Sequence, residues 1–224
     1  GIAEACRTLD FPVVSGNISL YNETNGRGIL PTPTIGGVGL LNDFTKSVNL
    51  RFKNAGEVIL LIGENTGWLG QSIYLRDLCG REEGAPPPVS LEDEKKNGNY
   101  VRGLILAGRV SAAHDVSDGG LLVAIAEMAM AGGIGAALVG PVPVSQIPAH
   151  GYWFGEDQAR YVVTATPEEA GRIESEAKAA GLKVQVLGRT GGAAITLPGE
   201  SDIPVKALNE ASENWFPAYM SKQG

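Results

Sequence analysis

The chain has 224 residues, 43% of them hydrophobic, enough to bury a substantial core in one or two domains and too apolar for a disordered segment. Its net charge of −7 comes with no basic block, which argues against a nucleic-acid surface but leaves room for anions bridged by a metal. Cys6 and Cys79 stand far apart without a CxxC or His-rich partner, and no window is apolar enough to span a bilayer. Neither a disulfide framework, a zinc site nor a membrane protein is expected, and a reducing cytoplasm is the expected compartment.

In chain order, the first residues already read as a helix. Ile2, Ala5, Cys6 and Leu9 follow the i, i+3, i+4, i+7 spacing. With no initiator Met before them, the chain reads as a piece of something longer. FPVV at 11–14 predicts a short buried strand, and SGNISLYNE at 15–23 then crowds hydroxyls and amides behind a glycine. Such oxygens can ligate Mg²⁺ or bind phosphate, or simply form an Asx/Ser turn that satisfies its own backbone. Asn25-Gly26 signals a hairpin turn. PTPT at 31–34 reads as extended and IGGVGLL at 35–41 as a glycine-rich strand. The glycines match neither a dinucleotide fingerprint nor a P-loop. A polar stretch at 42–56 suggests a boundary, dividing the chain into 1–50 and 51–224.

The second part opens with EVILLI at 57–62, apolar enough for a strand buried on both faces. The loop GENTGWLGQS and a helix to about Leu78 offer a weak anion site. Residues 84–93 carry three prolines and read as a surface linker, followed by a helix at 97–109 and a short strand at 112–114. Then comes His114-Asp115-Val116-Ser117-Asp118-Gly119-Gly120, leading into a helix at 121–131 that is apolar almost all round and therefore buried. The free N–H groups at its start suit a phosphate, which the carboxylates of Asp115 and Asp118 would repel. A Mg²⁺ ion between them removes the conflict. The plainer reading makes Asp118 the helix N-cap and Asp115 a loop residue. Both stay open on spacing alone.

Beyond the helix, 134–139 reads as strand, and 141–150 has too many prolines for regular structure, leaving His150 in a solvated loop. FGEDQAR at 154–160 precedes a strand at 161–165, and Thr166-Pro167-Glu168-Glu169 is a capping box for a helix to Ala180. Strands at 182–187 and 193–197 and a helix at 205–215, stopped by Pro217, complete the chain. This order, mixing parallel crossovers with a hairpin, predicts an α+β fold of mixed α/β layers.

PVVSGNISLYNET at 12–24, PTPTIGGVGLL at 31–41, LGQS at 69–72, HDVSDGGLLVAIAEMAMAG at 114–132 and FGEDQARYVV at 154–163 resemble, in collinear order, the synthetase subunit of the small-type phosphoribosylformylglycinamidine synthase family. The family lies in the aminoimidazole ribonucleotide synthetase-like superfamily. The resemblance implies the end of a second N-terminal-like domain at 1–50 and a second C-terminal-like domain at 51–224. It implies an ATP-dependent ligase of purine biosynthesis that converts formylglycinamide ribonucleotide and glutamine-derived ammonia to formylglycinamidine ribonucleotide. A glutaminase subunit and a small accessory subunit are the implied partners, along with the missing N-terminal half of the polypeptide. By the same resemblance Gly16 contacts nucleotide, Asn17 holds Mg²⁺ and Ser19 touches substrate. Asp115 ligates Mg²⁺ and Ser117 contacts ATP or ADP at a second site, the latter pair being inferred from the large single-chain members. The family's catalytic histidine lies in the N-terminal half, so no catalytic residue is expected here and His114 reads as a supporting or packing residue. The chain alone is expected to be inactive. The alternatives are a non-catalytic Mg-nucleotide assembly module, or another ATP-dependent member of the superfamily such as selenophosphate synthetase or thiamine monophosphate kinase.

Overall fold

The structure, a computed structural model, describes residues 1–140 and 147–222 and divides into two units, Gly1–Thr45 and Lys46–Gly224. In the smaller, helix α1 (Ile2–Thr8) forms as its spacing predicts. Asn25 (φ 52°) and Gly26 (φ 76°) both take the left-handed conformation that a two-residue hairpin turn needs. That turn joins β1 (Glu23–Thr24) to the antiparallel β2 (Arg27–Gly28). The strands expected at 11–14 and 35–41 do not form, and Val14, Val38 and Leu40 are about nine-tenths exposed. A strand is made by its partner, and neither run finds one within this unit.

The larger unit contains β3 (Val58–Ile62), a π-helical turn (Tyr74–Leu78), α2 (Leu91–Leu106), β4 (Ala112–Asp115), α3 (Gly120–Gly132), β5 (Ala136–Leu138) and α4 (Ala149–Phe154). After these come β6 (Tyr161–Ala165), α5 (Pro167–Ala179), β7 (Val184–Thr190), β8 (Ala194–Thr196), β9 (Ile203–Pro204) and α6 (Val205–Ser221). Among the described residues the strands form a seven-stranded sheet in the order β4-β6-β3-β7-β5-β8-β9. The expected α+β layering is therefore what the chain builds. Its parallel crossovers reduce to one neighbouring pair, β5 with β8; the other neighbours run antiparallel.

All five residues of β3 are buried because helices cover both faces of the sheet. Alternation along the strand sends Ile59 and Leu61 to one face, into a core with Leu121, Ile125 and Met128 of α3. Val58, Leu60 and Ile62 enter the other core with Val101 and Leu104 of α2 and Ala170 and Ile173 of α5. Helix α3 buries the stripe Leu121, Ala124, Ile125, Met128 and Ala129 and packs on α4 and α6. It is thus a firm base for the loop before it.

Several bounds shift by a few residues, β7 for example ending at Thr190 rather than 187, and three departures have a visible cause or consequence. Helix α2 starts at Leu91, six residues earlier than predicted, because the Ser90 hydroxyl accepts from the Asp93 N–H (3.2 Å) and Glu92, Asp93 and Glu94 sit favourably in its first turn. Helix α6 runs through Pro217 to Ser221; residues 211–222 are exposed, so the carbonyl that Pro217 cannot serve faces solvent. His150 lies in α4, exposed and stacked on Tyr74 with ring centres 5.8 Å apart. The rest of the proline-rich stretch, 141–146, is outside the described residues. No helix among the described residues is long and apolar enough to cross a membrane.

Thr166 caps α5 as its motif predicts, accepting from the Glu169 N–H (3.3 Å). The Glu169 carboxylate does not close the capping box. Arg109 takes it instead, donating to Glu169 from Nε (2.7 Å) and to Glu176 from both terminal nitrogens (2.7 and 3.2 Å). The hydrogen bond from Arg109 holds the Glu169 carboxyl below its ordinary value. A carboxyl depressed on folding adds stability above its unfolded pKa, about 4.3, and loses it as pH falls through the folded value. Arg109→Met is therefore expected to lower the urea midpoint at pH 7. The gap from wild type should close as the carboxylates protonate, and a gap independent of pH would contradict this.

Candidate functional site

The loop singled out by its carboxylates leaves the sheet at its edge. Asp115 ends the edge strand β4, and the Val116 N–H donates to the Arg160 carbonyl (2.9 Å). The chain then turns through Ser117, whose carbonyl accepts from the Gly120 N–H (3.0 Å). Gly119 (φ 81°) and Gly120 (φ 77°) both occupy the left-handed region, which explains the diglycine. Asp118 is not the helix cap: Gly119 holds that position, and no side-chain cap bond is made from it. The Gly119 N–H instead donates to Oε1 of Glu156 (2.8 Å), an oxygen that also accepts from the Ile73 N–H (2.8 Å).

Glycines make this meeting possible. A Cβ on Gly120 would fall 2.6 Å from the Gly155 carbonyl oxygen, and one on Gly155 would fall 2.7 Å from the Gly67 backbone. The start of α3, the end of α4 and the 63–73 loop thus approach backbone to backbone.

The same loops share a buried ionic network. Asp157 accepts from the Thr66 hydroxyl, the Gly67 N–H (3.0 Å) and the Trp68 N–H (3.4 Å). Arg160, 1% exposed, donates to the Asp157 carbonyl (3.0 Å), Asn65 Oδ1 (3.1 Å) and the Gly155 carbonyl (2.7 Å). Its guanidinium lies 3.6 Å from the Asp157 carboxylate. Burial pulls the Arg160 guanidinium below its usual value, and Asp157 and Glu156 oppose that pull. Sequence reading flagged this stretch only through the family likeness and gave its members no roles. The available signal was GEDQAR, four charged or amide side chains set directly before a buried strand.

Of the residues singled out beforehand, Gly16, Asn17 and Ser19 lie in exposed irregular chain of the smaller unit. Gly16 has open space where a side chain would be, and the Ser19 carbonyl accepts from the Asn22 side-chain amide (2.9 Å). Asp115 and Ser117 stand two residues apart on the larger unit, both exposed. The Asp115 carboxylate is 67% exposed, and His114 Nδ1 is 3.3 Å from its Oδ1. The other ring nitrogen of His114 is 2.9 Å from Glu127 on α3. His114, 16% exposed at its side chain, is therefore held between two carboxylates beside the loop. A separate cavity of about 270 Å³ is lined by Glu64, Thr66, Asp93, Lys96, Gln158 and Lys183 among others, and by none of residues 114–120. Two of its lining side chains are engaged: Lys96 donates to the Gly181 carbonyl (3.0 Å) and Asn97 to the Ala159 carbonyl (2.9 Å).

For Mg²⁺, the donor chemistry fits. An exposed carboxylate with one weak neighbour suits an ion that binds through one or two carboxylates and takes its other ligands from phosphates and water. No set of three or more His, Cys, Asp or Glu side chains converges among the described residues, so an ion here would rely on those outside ligands.

The helix-covered, mainly antiparallel sheet and the loop before its buried helix define a C-terminal domain of AIR synthase related proteins. That family's model matches residues 54–197, and the chain belongs to this family. Across nearly its whole length the chain is similar to the subunit PurL of phosphoribosylformylglycinamidine synthase. It is 64% identical over 220 residues to that of Bradyrhizobium sp. strain BTAi1, covering 98% of this chain and 30% of the relative. It is 58% identical over 221 residues to that of Methylocella silvestris, covering 99% and 30%. The chain thus spans about 30% of the length of the curated relatives it matches. Among solved structures, T. maritima PurL complexed with FGAR superposes with a TM-score of 0.62 at 22% identity, covering 74% of this chain and 30% of that one. T. maritima PurL complexed with ATP gives 0.57 at 21%, covering 74% and 27%. At these identities the structures speak for the fold alone.

Proposed function

We propose that this chain forms part of the nucleotide and substrate surface of a phosphoribosylformylglycinamidine synthase, an ATP-dependent ligase acting in purine biosynthesis in the cytoplasm. The observation that carries the reading is the 64% identity over 98% of the chain to a PurL subunit. In this reading the amide oxygen of formylglycinamide ribonucleotide is phosphorylated by ATP and then displaced by ammonia delivered from a glutaminase subunit, within a complex that also holds a small accessory subunit. On the same reading the chain carries the end of one domain and most of the next, with the boundary at about residues 45–50 of the sequence, and works with the rest of a longer polypeptide rather than alone.

Roles within the chain follow from chemistry and place. Asp115 is the carboxylate for Mg²⁺, and Ser117 offers a hydroxyl to the nucleotide beside it. Gly16, with open space around it, lets nucleotide approach the backbone, while Asn17 and Ser19 offer an amide oxygen and a hydroxyl to metal and substrate. When bound, Mg²⁺ neutralises charge on phosphoryl oxygens. His114, between Asp115 and Glu127, orients the Asp115 carboxylate. The buried α3 keeps the loop from yielding when a charged ligand arrives.

The test is a segment exchange. This chain replaces the matching part of the Bradyrhizobium subunit, and the product is assayed with formylglycinamide ribonucleotide, ATP and ammonia. Turnover is the expected result; a folded but inactive hybrid contradicts the reading. In that hybrid, Asp115→Asn is expected to weaken Mg²⁺-dependent nucleotide binding about 10–100-fold, the range found even for groups one step removed from a metal. Unchanged affinity would remove Asp115 as a ligand.

A further inference from the structure

We infer that Glu156 is a positioning residue: its carboxylate is a built-in anion that occupies the head of α3 and ties the 115–119 loop to the 66–73 loop. One oxygen, Oε1, accepts from Gly119 N–H and Ile73 N–H, each at 2.8 Å, so two segments far apart in the chain converge on a single atom. The main chain of Glu156 adds a third tie, its N–H donating to the Trp68 carbonyl (2.8 Å). Gly120, Gly155 and Gly67 bring those backbones close enough for a glutamate of ordinary reach. Each position would lose that contact with a Cβ.

Charge explains why a carboxylate is used. The start of a helix carries a partial positive charge, and a carboxylate accepting two N–H bonds there is held more strongly than a neutral acceptor. It also fills the place that a phosphate would take at a helix start. The Gly119 N–H at the head of α3 is therefore not free for a nucleotide phosphate. What the 115–119 loop offers a ligand is the Asp115 and Asp118 carboxylates and the Ser117 hydroxyl, all exposed. The inference rests on the proposed function only for what that loop binds. Its test reads backbone amides and gives an answer even where no nucleotide binds.

Amide exchange and proton–nitrogen spectra of the chain decide it, with Glu156→Ala and Glu156→Gln beside the wild type. In wild type, Gly119 and Ile73 should be protected and unmoved by inorganic phosphate. In Glu156→Ala both should exchange about tenfold faster or more, as expected for loss of a hydrogen bond to a charged group, and added formate should restore both together. In Glu156→Gln the amide oxygen still accepts, so protection should largely persist, while both amide protons move upfield as the charge is lost. A purely stabilising glutamate would reduce protection all along α3 and would not respond to formate. Independent behaviour of the two amides in either variant overturns the inference, as does a saturable phosphate shift of both in wild type. If Glu156→Ala does not fold, the paired upfield shift in Glu156→Gln decides alone, and movement of one amide or neither overturns it.

Discussion

Arg160→Met should destabilise the folded chain by about 3–5 kcal/mol, the usual cost of leaving one member of a buried ion pair unpaired. Arg160 is 1% exposed and Asp157 7% exposed, so the stranded carboxylate gains little water in exchange for its partner. Its bonds to Thr66, Gly67 and Trp68 remain and keep the loss near the lower end. The Asn65 oxygen and the Gly155 carbonyl lose their donors as well. Urea unfolding followed by far-UV circular dichroism measures the effect. Adding Asp157→Asn to Arg160→Met should recover part of the loss, because the buried charge then disappears. A single-variant loss below about 1 kcal/mol would mean that the network is better solvated than its burial indicates.

The second large effect belongs to Gly120→Ala. A left-handed φ costs a non-glycine residue about 1–2 kcal/mol, and forcing a methyl into packed backbone adds about 1–3 kcal/mol. With φ at 77° and the Gly155 oxygen 2.6 Å from the new carbon, both terms apply. A total loss of about 2–5 kcal/mol is expected. Gly133→Ala is the internal control: its φ is 66°, but nothing lies within 4 Å of the added carbon, so only the conformational term of about 1 kcal/mol remains. Equal losses in thermal unfolding would refute the close approach of α3 to the 154–155 backbone.

These two positions also show what could be read from the chain beforehand. The diglycine, the buried helix after it, the all-apolar β3, the Asn25-Gly26 turn and the Thr166 cap are local signals, each expressed within a few residues of its cause. Strand formation at 11–14 and 35–41 failed because pairing depends on another segment, and apolar sequence alone does not supply one. The Ser90 cap was present in the sequence but sat among prolines that suggested a linker. The carboxylate at the head of α3 was beyond local reading, since it comes from Glu156, behind the intervening β5 and α4. Asp115 and Ser117, the site residues expected in the larger unit, are both exposed. The ties through Glu156 and Arg160 that hold their loop only become visible once distant backbones are side by side.

Strand β3 has a consequence for how the chain is made. Both of its neighbours, β6 and β7, lie roughly a hundred residues or more downstream, which at ordinary synthesis rates is a delay of roughly 5–20 seconds. For that interval VILLI has neither edge paired, although α2 and α3, which cover its two faces, are made sooner, and contacts this distant in sequence form slowly even afterwards. The fully buried strand of the finished molecule is thus a segment of the nascent one whose two edges stay open until its partners emerge.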